Sequence, residues 1–204
     1  MKYIPVLLLL TLSFASQADY IQFGSQDYPV NRPFCGDCNQ SLRDQILIPS
    51  DSLGGAMEIS SIAFLTETGS VASFSRFVIH MGITDMTELS ETFENNWMTG
   101  TKTSVYDHTD VTFNSPGVNQ WMVIDLDTPF WYNGEDNLVM EFSWPSGSDV
   151  VMIWAWITEG GSSLFAGWEE PTGDLMQECL VMRLEGTLSL TADTFGAIKA
   201  TLGK

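Results

Sequence analysis

The chain has 204 residues, 26 Asp and Glu against 8 Lys and Arg, a net charge of −18 and 44% hydrophobic residues. That apolar share is ordinary for a globular protein and suffices for one domain with a sizeable core. The acidic field repels phosphate backbones and anionic membranes and no basic stripe offsets it, which sets nucleic-acid binding aside.

In chain order, residues 1–18 read as a secretory leader. Lys2 supplies the positive start, an apolar run covers 4–12, and Ser16, Gln17 and Ala18 form a small-x-small cleavage pattern. The apolar run is far shorter than the roughly 20 residues a membrane-spanning helix needs. The expectation is a secreted or cell-surface protein that is not an integral membrane protein once the leader is cut. Cleavage removes Lys2 alone among the charged residues and leaves a net charge of −19.

Three cysteines follow: Cys35, Cys38 and Cys179. The Cys35-Gly36-Asp37-Cys38 spacing is compatible with a redox pair. However, Pro33 before it and Asn39, Gln40 and Ser41 after it read as a loop, where a redox pair wants a helix. With an export leader a structural disulfide fits better. It joins either Cys35 to Cys38, leaving Cys179 alone, or one of that pair to Cys179 across a long loop. The long-range bridge is favoured slightly, because it would constrain the unfolded chain most.

From residue 19 onward Gly, Pro, Asn and Asp punctuate the chain every 8 to 15 residues, between short runs rich in Val, Ile, Phe, Trp and Thr. Strands are predicted over 45–48, 58–66, 75–83, 102–106, 111–113, 121–126, 137–144, 150–158 and 180–190. A short helical turn is predicted over 86–93. In 75–83, Phe77, Ile79 and Met81 alternate with Arg76, Val78 and His80. The run 121–144 reads as an antiparallel pair turning at Asn133-Gly134. Its inward side holds Met122, Ile124, Leu126, Leu138, Met140 and Phe142, and its outward side Asp125, Asp127 and Glu141. The fold expected is all-β, a two-sheet antiparallel sandwich of jelly-roll-like topology over 19–190. A short helical tail over 191–204 is expected to follow, where Thr191 to Thr194 can cap it.

Four phrases together resemble a known module: RDQILIPSDSLG (43–54), ISSIAFLTETG (59–69), FVIHMGITDMTEL (77–89) and QWMVIDLDTPFWYNGEDNLVMEFSW (120–144). The most specific part is Pro129, Phe130, Tyr132, Gly134, Asn137 and Leu138. The chain is similar, over most of its length, to a β-sandwich, jelly-roll-like domain of secreted bacterial proteins of the Bacteroidetes type. The resemblance implies a surface or secreted module of the kind found beside adhesion-like domains, proteases or sorting signals. It implies no catalytic residues. The ending TFGAIKATLGK is similar to short tails on exported proteins of such lineages.

Chemistry-bearing patterns are sparse. There is no Gly-x-Ser-x-Gly elbow, no HExxH and no phosphate loop, and the two histidines, His80 and His108, read as structural or surface residues. No enzyme activity and no obligatory cofactor are expected. Ca²⁺ is a possible ligand of turn-borne oxygens at Asp107, Asp110 and Asn114, or at Glu135, Asp136 and Asn137, against a competing Asx-turn reading. The aromatic pattern points further. In 150–158 Trp154 and Trp156 alternate with Val151, Ile153 and Ala155, and an exposed pair there could stack on sugar rings, extended by Trp144, Trp131 and Trp168. The competing reading buries both faces of this strand. The expected function is a non-catalytic module that binds a glycan or an envelope component. The alternative is a structural subunit docking through a sheet edge or the tail onto a surface protein.

Overall fold

The computed structural model describes residues 19–38 and 41–188. The leader expected over 1–18 and the helical tail expected over 191–204 therefore lie outside the described residues. Within them the chain forms fourteen strands: β1 (Asp19–Phe23), β2 (Tyr28–Val30), β3 (Leu42–Ile48), β4 (Met57–Leu65), β5 (Val71–Thr84), β6 (Thr103–Asn114), β7 (Trp121–Tyr132), β8 (Asn137–Trp144), β9 (Gly147–Asp149), β10 (Ile153–Ile157), β11 (Ser163–Ala166), β12 (Asp174–Met176), β13 (Glu178–Leu180) and β14 (Met182–Leu188).

The all-β antiparallel sandwich expected from the sequence is present. A small sheet runs β1-β14-β4-β7 and a large one β12-β11-β3-β8-β5-β6, with β9 paired to β5. A third, three-stranded sheet, β13-β10-β2, lies alongside and is tied to the end of β4 by the Thr66–Ile153 bridge. Strands that follow each other in sequence cross between the sheets, as β3 to β4, β4 to β5 and β7 to β8 do, which is the jelly-roll habit.

Alternation decides which side chains go in. Ile46 of β3, Phe77, Ile79 and Met81 of β5, and Leu138, Met140 and Phe142 of β8 meet Ile59, Ile62 and Phe64 of β4 and Met122 and Ile124 of β7 in one core. Each such side chain contributes roughly 1.5–3 kcal/mol by leaving water. Phe34 sits in the middle, with Phe64, Phe77 and Phe113 at centroid distances of 4.9, 5.7 and 5.2 Å. Trp144 completes this group. It is fully buried, its ring 5.3 Å from that of Phe74 and its Nε1–H donating to the carbonyl of Pro33 at 3.0 Å.

Two expectations are corrected. Residues 121–144 do not form an antiparallel pair: β7 pairs with β4 in the small sheet, while β8 pairs with β3 and β5 in the large one. The Asn133-Gly134 turn carries the chain from sheet to sheet. Gly134 has φ +82°, and a Cβ there would come 2.3 Å from the backbone nitrogen of Ala56. A two-residue hairpin and a corner between sheets use the same turn chemistry, so the dipeptide alone could not separate them. Similarly, the segment predicted as a helical turn over 86–93 is irregular, and the one 3₁₀ turn of this loop falls at Phe93–Asn96.

Candidate functional site

The outward face of the large sheet is built from two registered rows. Arg43, Ser143, Val78 and Asp107 form one across β3, β8, β5 and β6, and Gln45, Glu141, His80 and Ser104 form the next. One step further the face turns apolar. Leu47 and Val139 there pack with Leu164 and with Leu89 and Phe93 of the long β5–β6 loop, closing a second small core. Gly82 makes room for that cover, since a Cβ would lie 2.7 Å from the Trp97 ring. The loop thus shields the apolar half of the outward face; Gln45 and Glu141 of the second row are also buried, while Arg76 and Asp107 stay exposed.

Where the cover ends, charges converge. The carboxylate of Glu141, only 3% exposed, receives Nη2 and Nε of Arg43 at 2.8 and 3.0 Å, Nζ of Lys102 at 3.2 Å and Nε2 of Gln45 at 2.8 Å. Arg43 and Lys102 also bind Glu94 in the covering loop, the latter at 3.1 Å, and Arg43 stacks 4.3 Å from the Phe93 ring. Asn96 donates to Gln45 at 2.8 Å and anchors the loop to this network. Along the first row Arg76 grips both oxygens of Asp107 at 2.8 and 2.7 Å.

The result is a groove of about 430 Å³ walled by Arg43, Arg76, His80, Asp107, Glu141 and the half-buried Trp168. Burial holds the His80 imidazole below the usual histidine range, outweighing the adjacent Glu141. Its ring is therefore neutral at pH 7 and can both donate and accept. Burial alone would raise the Glu94 carboxyl, but hydrogen bonds from Arg43 and Lys102 bring it net below its ordinary value. The Arg76 hydrogen bonds lower Asp107 likewise. Three cations and three carboxylates balance here, in a chain whose net charge is −18.

A larger cleft of about 840 Å³ opens on the other side of the β11–β12 loop, between Val30, Leu42, Phe165 and Glu178. Its one cation, Arg32, is spent on Glu178 and stacks 4.0 Å from the Phe165 ring. Its lining includes Cys38 and Ser41, on either side of a break in the described residues. The groove is the better-defined site.

The aromatic residues singled out in sequence are not brought together. Trp144 is in the core, because position 144 falls on the inward face of β8. Trp154 and Trp156 are half-buried and make no open platform. Trp154 donates from Nε1 to Asn119 at 2.9 Å, and the Trp156 ring lies over the backbone at Gly24, where a Cβ would come within 2.6 Å. Trp131 is 57% exposed, but on the outward face of the small sheet. Trp168 alone reaches the groove. Asp125 and Asp127 do not share a face with Glu141 either, since they sit on β7 of the other sheet.

The calcium candidates are likewise dispersed or engaged. Asp107 and Asn114 lie seven residues apart on β6, about 20 Å along a strand. Asp107 is held by Arg76, and Asp110 lies exposed between them with φ +52°. At the second cluster Asn133 Oδ1 accepts from the backbone of Glu135 and Asp136, an Asx turn, and Asn137 bridges Ser50 and Met86. Among the described residues, three potential metal ligands converge only at Cys35, Asp37 and Cys38. Both thiols there are spent in a Cys35–Cys38 disulfide with Cα atoms 5.2 Å apart. This corrects the preference for a long-range bridge: Cys179 is buried on β13, and burial pushes its thiol up to about 12.

Sequence reading missed the groove because its members come from four strands and two loops. Arg43, Arg76 and Lys102 looked like scattered surface charges. The one signal was their scarcity. Comparison with known protein families and with curated proteins gives no match in either.

Proposed function

We propose that this chain is a non-catalytic sugar-binding module of the extracellular or cell-surface kind, and that the groove on the large sheet takes a neutral glycan. The observation that carries the reading is charge balance. In a strongly acidic chain, two of the five Lys and Arg among the described residues line one open groove and a third, Lys102, binds Glu141 in its wall. Sugar hydroxyls are donors and acceptors at once, so paired cations and carboxylates can each hold one end of a vicinal diol. Trp168 offers a flat apolar face for the ring. The absence of local excess charge favours an uncharged ligand over an anion or a cation.

The histidines support binding over chemistry. His108 spends Nε2 on Asp127 at 2.8 Å and stacks 4.3 Å from Tyr106. His80 faces Glu141 at 3.7 Å, a carboxylate already holding Arg43 and Lys102. The secretory leader and the resemblance to secreted bacterial modules support the extracellular setting.

The test is affinity electrophoresis of the full chain through gels holding soluble xylan, hydroxyethyl cellulose, mixed-linkage glucan, starch or galactomannan, beside Trp168→Ala. Retardation in one gel that falls at least tenfold in a folded Trp168→Ala variant is the expected result. Folded protein that passes every gel unretarded, or a Trp168→Ala variant that binds as well as the parent, overturns the reading.

A further inference from the structure

The outward face of the small sheet has a different make-up. Gln22 of β1, Arg183 of β14, Ala63 of β4 and Val123 of β7 stand in one registered row. Tyr20, Glu185, Ser61 and Asp125 form the row on one side, and Trp121 lies on the other. Arg183 reaches along its strand in both senses, so that its guanidinium carbon is 4.3 Å from the Tyr20 ring centroid and 4.0 Å from that of Trp121. Tyr20 and Val123 are 54% and 49% exposed. Further along the same face, beside Glu58, stands the 57% exposed Trp131.

Two facts set this patch apart from ordinary solvent-facing strand. Arg32, Arg43, Arg76 and Lys102 are each held by at least one carboxylate, whereas Arg183, the fifth Lys or Arg among the described residues, is in ion-pair contact with no carboxylate among them. Its Nε donates to Gln22 at 3.1 Å, and the four N–H bonds of its two Nη groups have no hydrogen-bond partner among the described residues. The two rings hold the guanidinium plane in place, so its donors are ordered before any ligand arrives.

We propose that Tyr20, Arg183 and Trp121 form a second sugar site, which takes a neutral pyranose. It lies on the opposite face of the sandwich from the groove, so that one copy of the chain can bridge two glycan strands. The ordered Nη donors meet ring and hydroxyl oxygens, the exposed carboxylate of Asp125 and the oxygen of half-buried Glu185 that Ser61 leaves free accept from hydroxyls, and the aromatic edges with Val123 cover the C–H face. A uronate or sulfated sugar fits poorly, because Glu185, Asp125 and Glu58 share the face with the single cation. The inference shares with the groove reading the premise that the chain binds neutral glycans, but it rests on different residues. Two modest sites on one rigid body raise avidity toward a polymer well above either alone.

The test is native mass spectrometry of the full chain with xylo-, cello-, malto- and mannohexaose, using the parent, Trp168→Ala, the pair Tyr20→Ala/Trp121→Ala, and Arg183→Lys. The expected result is two hexasaccharides per parent chain, one for Trp168→Ala and one for the Tyr20/Trp121 pair. Arg183→Lys keeps the charge but loses the planar stack, and should weaken the second site by about tenfold. A single hexasaccharide, lost in Trp168→Ala and untouched in the Tyr20/Trp121 pair, overturns this inference and leaves the groove standing. The reverse pattern overturns the groove and the bridging, while keeping the Tyr20–Arg183–Trp121 site. No binding by folded parent protein overturns both.

Discussion

On the outward face of the large sheet Glu141, Arg43 and Lys102 are sunk beneath a covering loop and bonded to one another, whereas on the small sheet Glu58 and Asp125 stand in solvent and Arg183 lies half-buried between two rings. Both faces alternate polar and apolar residues in sequence. The difference comes from cover. The β5–β6 loop lays Phe93 and Trp97 over the large sheet and takes its central charges out of water, so they hold only by satisfying each other. The small sheet's face leaves Glu58, Asp125, Val123 and Trp131 exposed, although its small residues Ala63 and Ser61 are buried. Its charges can stay unpaired at little cost, and Arg183 is free to stack on rings instead.

The comparison breaks most sharply at Glu141. Replacing it by Leu leaves Arg43 and Lys102 half-buried with the exposed Glu94 as their one remaining shared carboxylate, and should cost about 3 kcal/mol or more in urea denaturation. Glu58→Leu on the small sheet should stay within about 0.5 kcal/mol of the parent. Equal losses at the two positions would show that cover does not decide the value of these charges.

The inward side of the large sheet sharpens the same point. Asp44, one residue after Arg43, is 1% exposed with Oδ1 unpartnered, and its burial pushes the carboxyl up to about 6 against help from Arg32 and Ser163. In the unfolded chain this carboxyl ionises near pH 4. The folded state therefore holds its proton longer. The contribution is present below about pH 4 and is lost as pH rises toward the folded value of about 6. Asp44→Asn should be neutral at pH 3 and stabilising by roughly 2–3 kcal/mol at pH 7. His80 runs the other way: its lowered value means that protonation below about pH 6.5 works against the fold. A stability profile of Asp44→Asn parallel to that of the parent between pH 4 and 7 would overturn the account of Asp44.

What the sequence disclosed follows from which interactions are local. Strand 137–144 was read to the residue, and the inward sets Phe77, Ile79, Met81 and Leu138, Met140, Phe142 are all buried, because a period of two registers within one strand. Strands of three or four residues, such as β2, β11 and β12, carry too little pattern to stand out, and residues 19–23 directly follow the segment read as a leader. Burial on both sides defeats the period. Glu141 was placed outward, which is its true direction, yet a loop 40 residues upstream covers it. Trp144 looked like a candidate contact because a tryptophan on an inward position reads the same as one on a flat binding face. The groove itself was illegible, since β3, β5, β6 and β8 meet only through the crossovers between sheets.

The smallest effects should come from exposed groups on both faces, where they test whether surface aromatics and surface ion pairs serve binding or folding. Arg76 and Asp107 are each more than 40% exposed, and solvent screens their bidentate pair. Arg76→Ala should therefore leave the urea midpoint where it stands, while removing a donor from the groove wall. Trp131→Ser, at a position 57% exposed, should likewise shift stability by less than about 0.5 kcal/mol. The two variants then separate in retention on a neutral polysaccharide: Arg76→Ala should weaken it through the groove, and Trp131→Ser should change it little, being beyond the Tyr20–Arg183–Trp121 stack. A loss of stability in Arg76→Ala comparable to that in Glu141→Leu would mean that the first row, like the second, lies under effective cover. In that case the open half of the large sheet would not be open to a ligand.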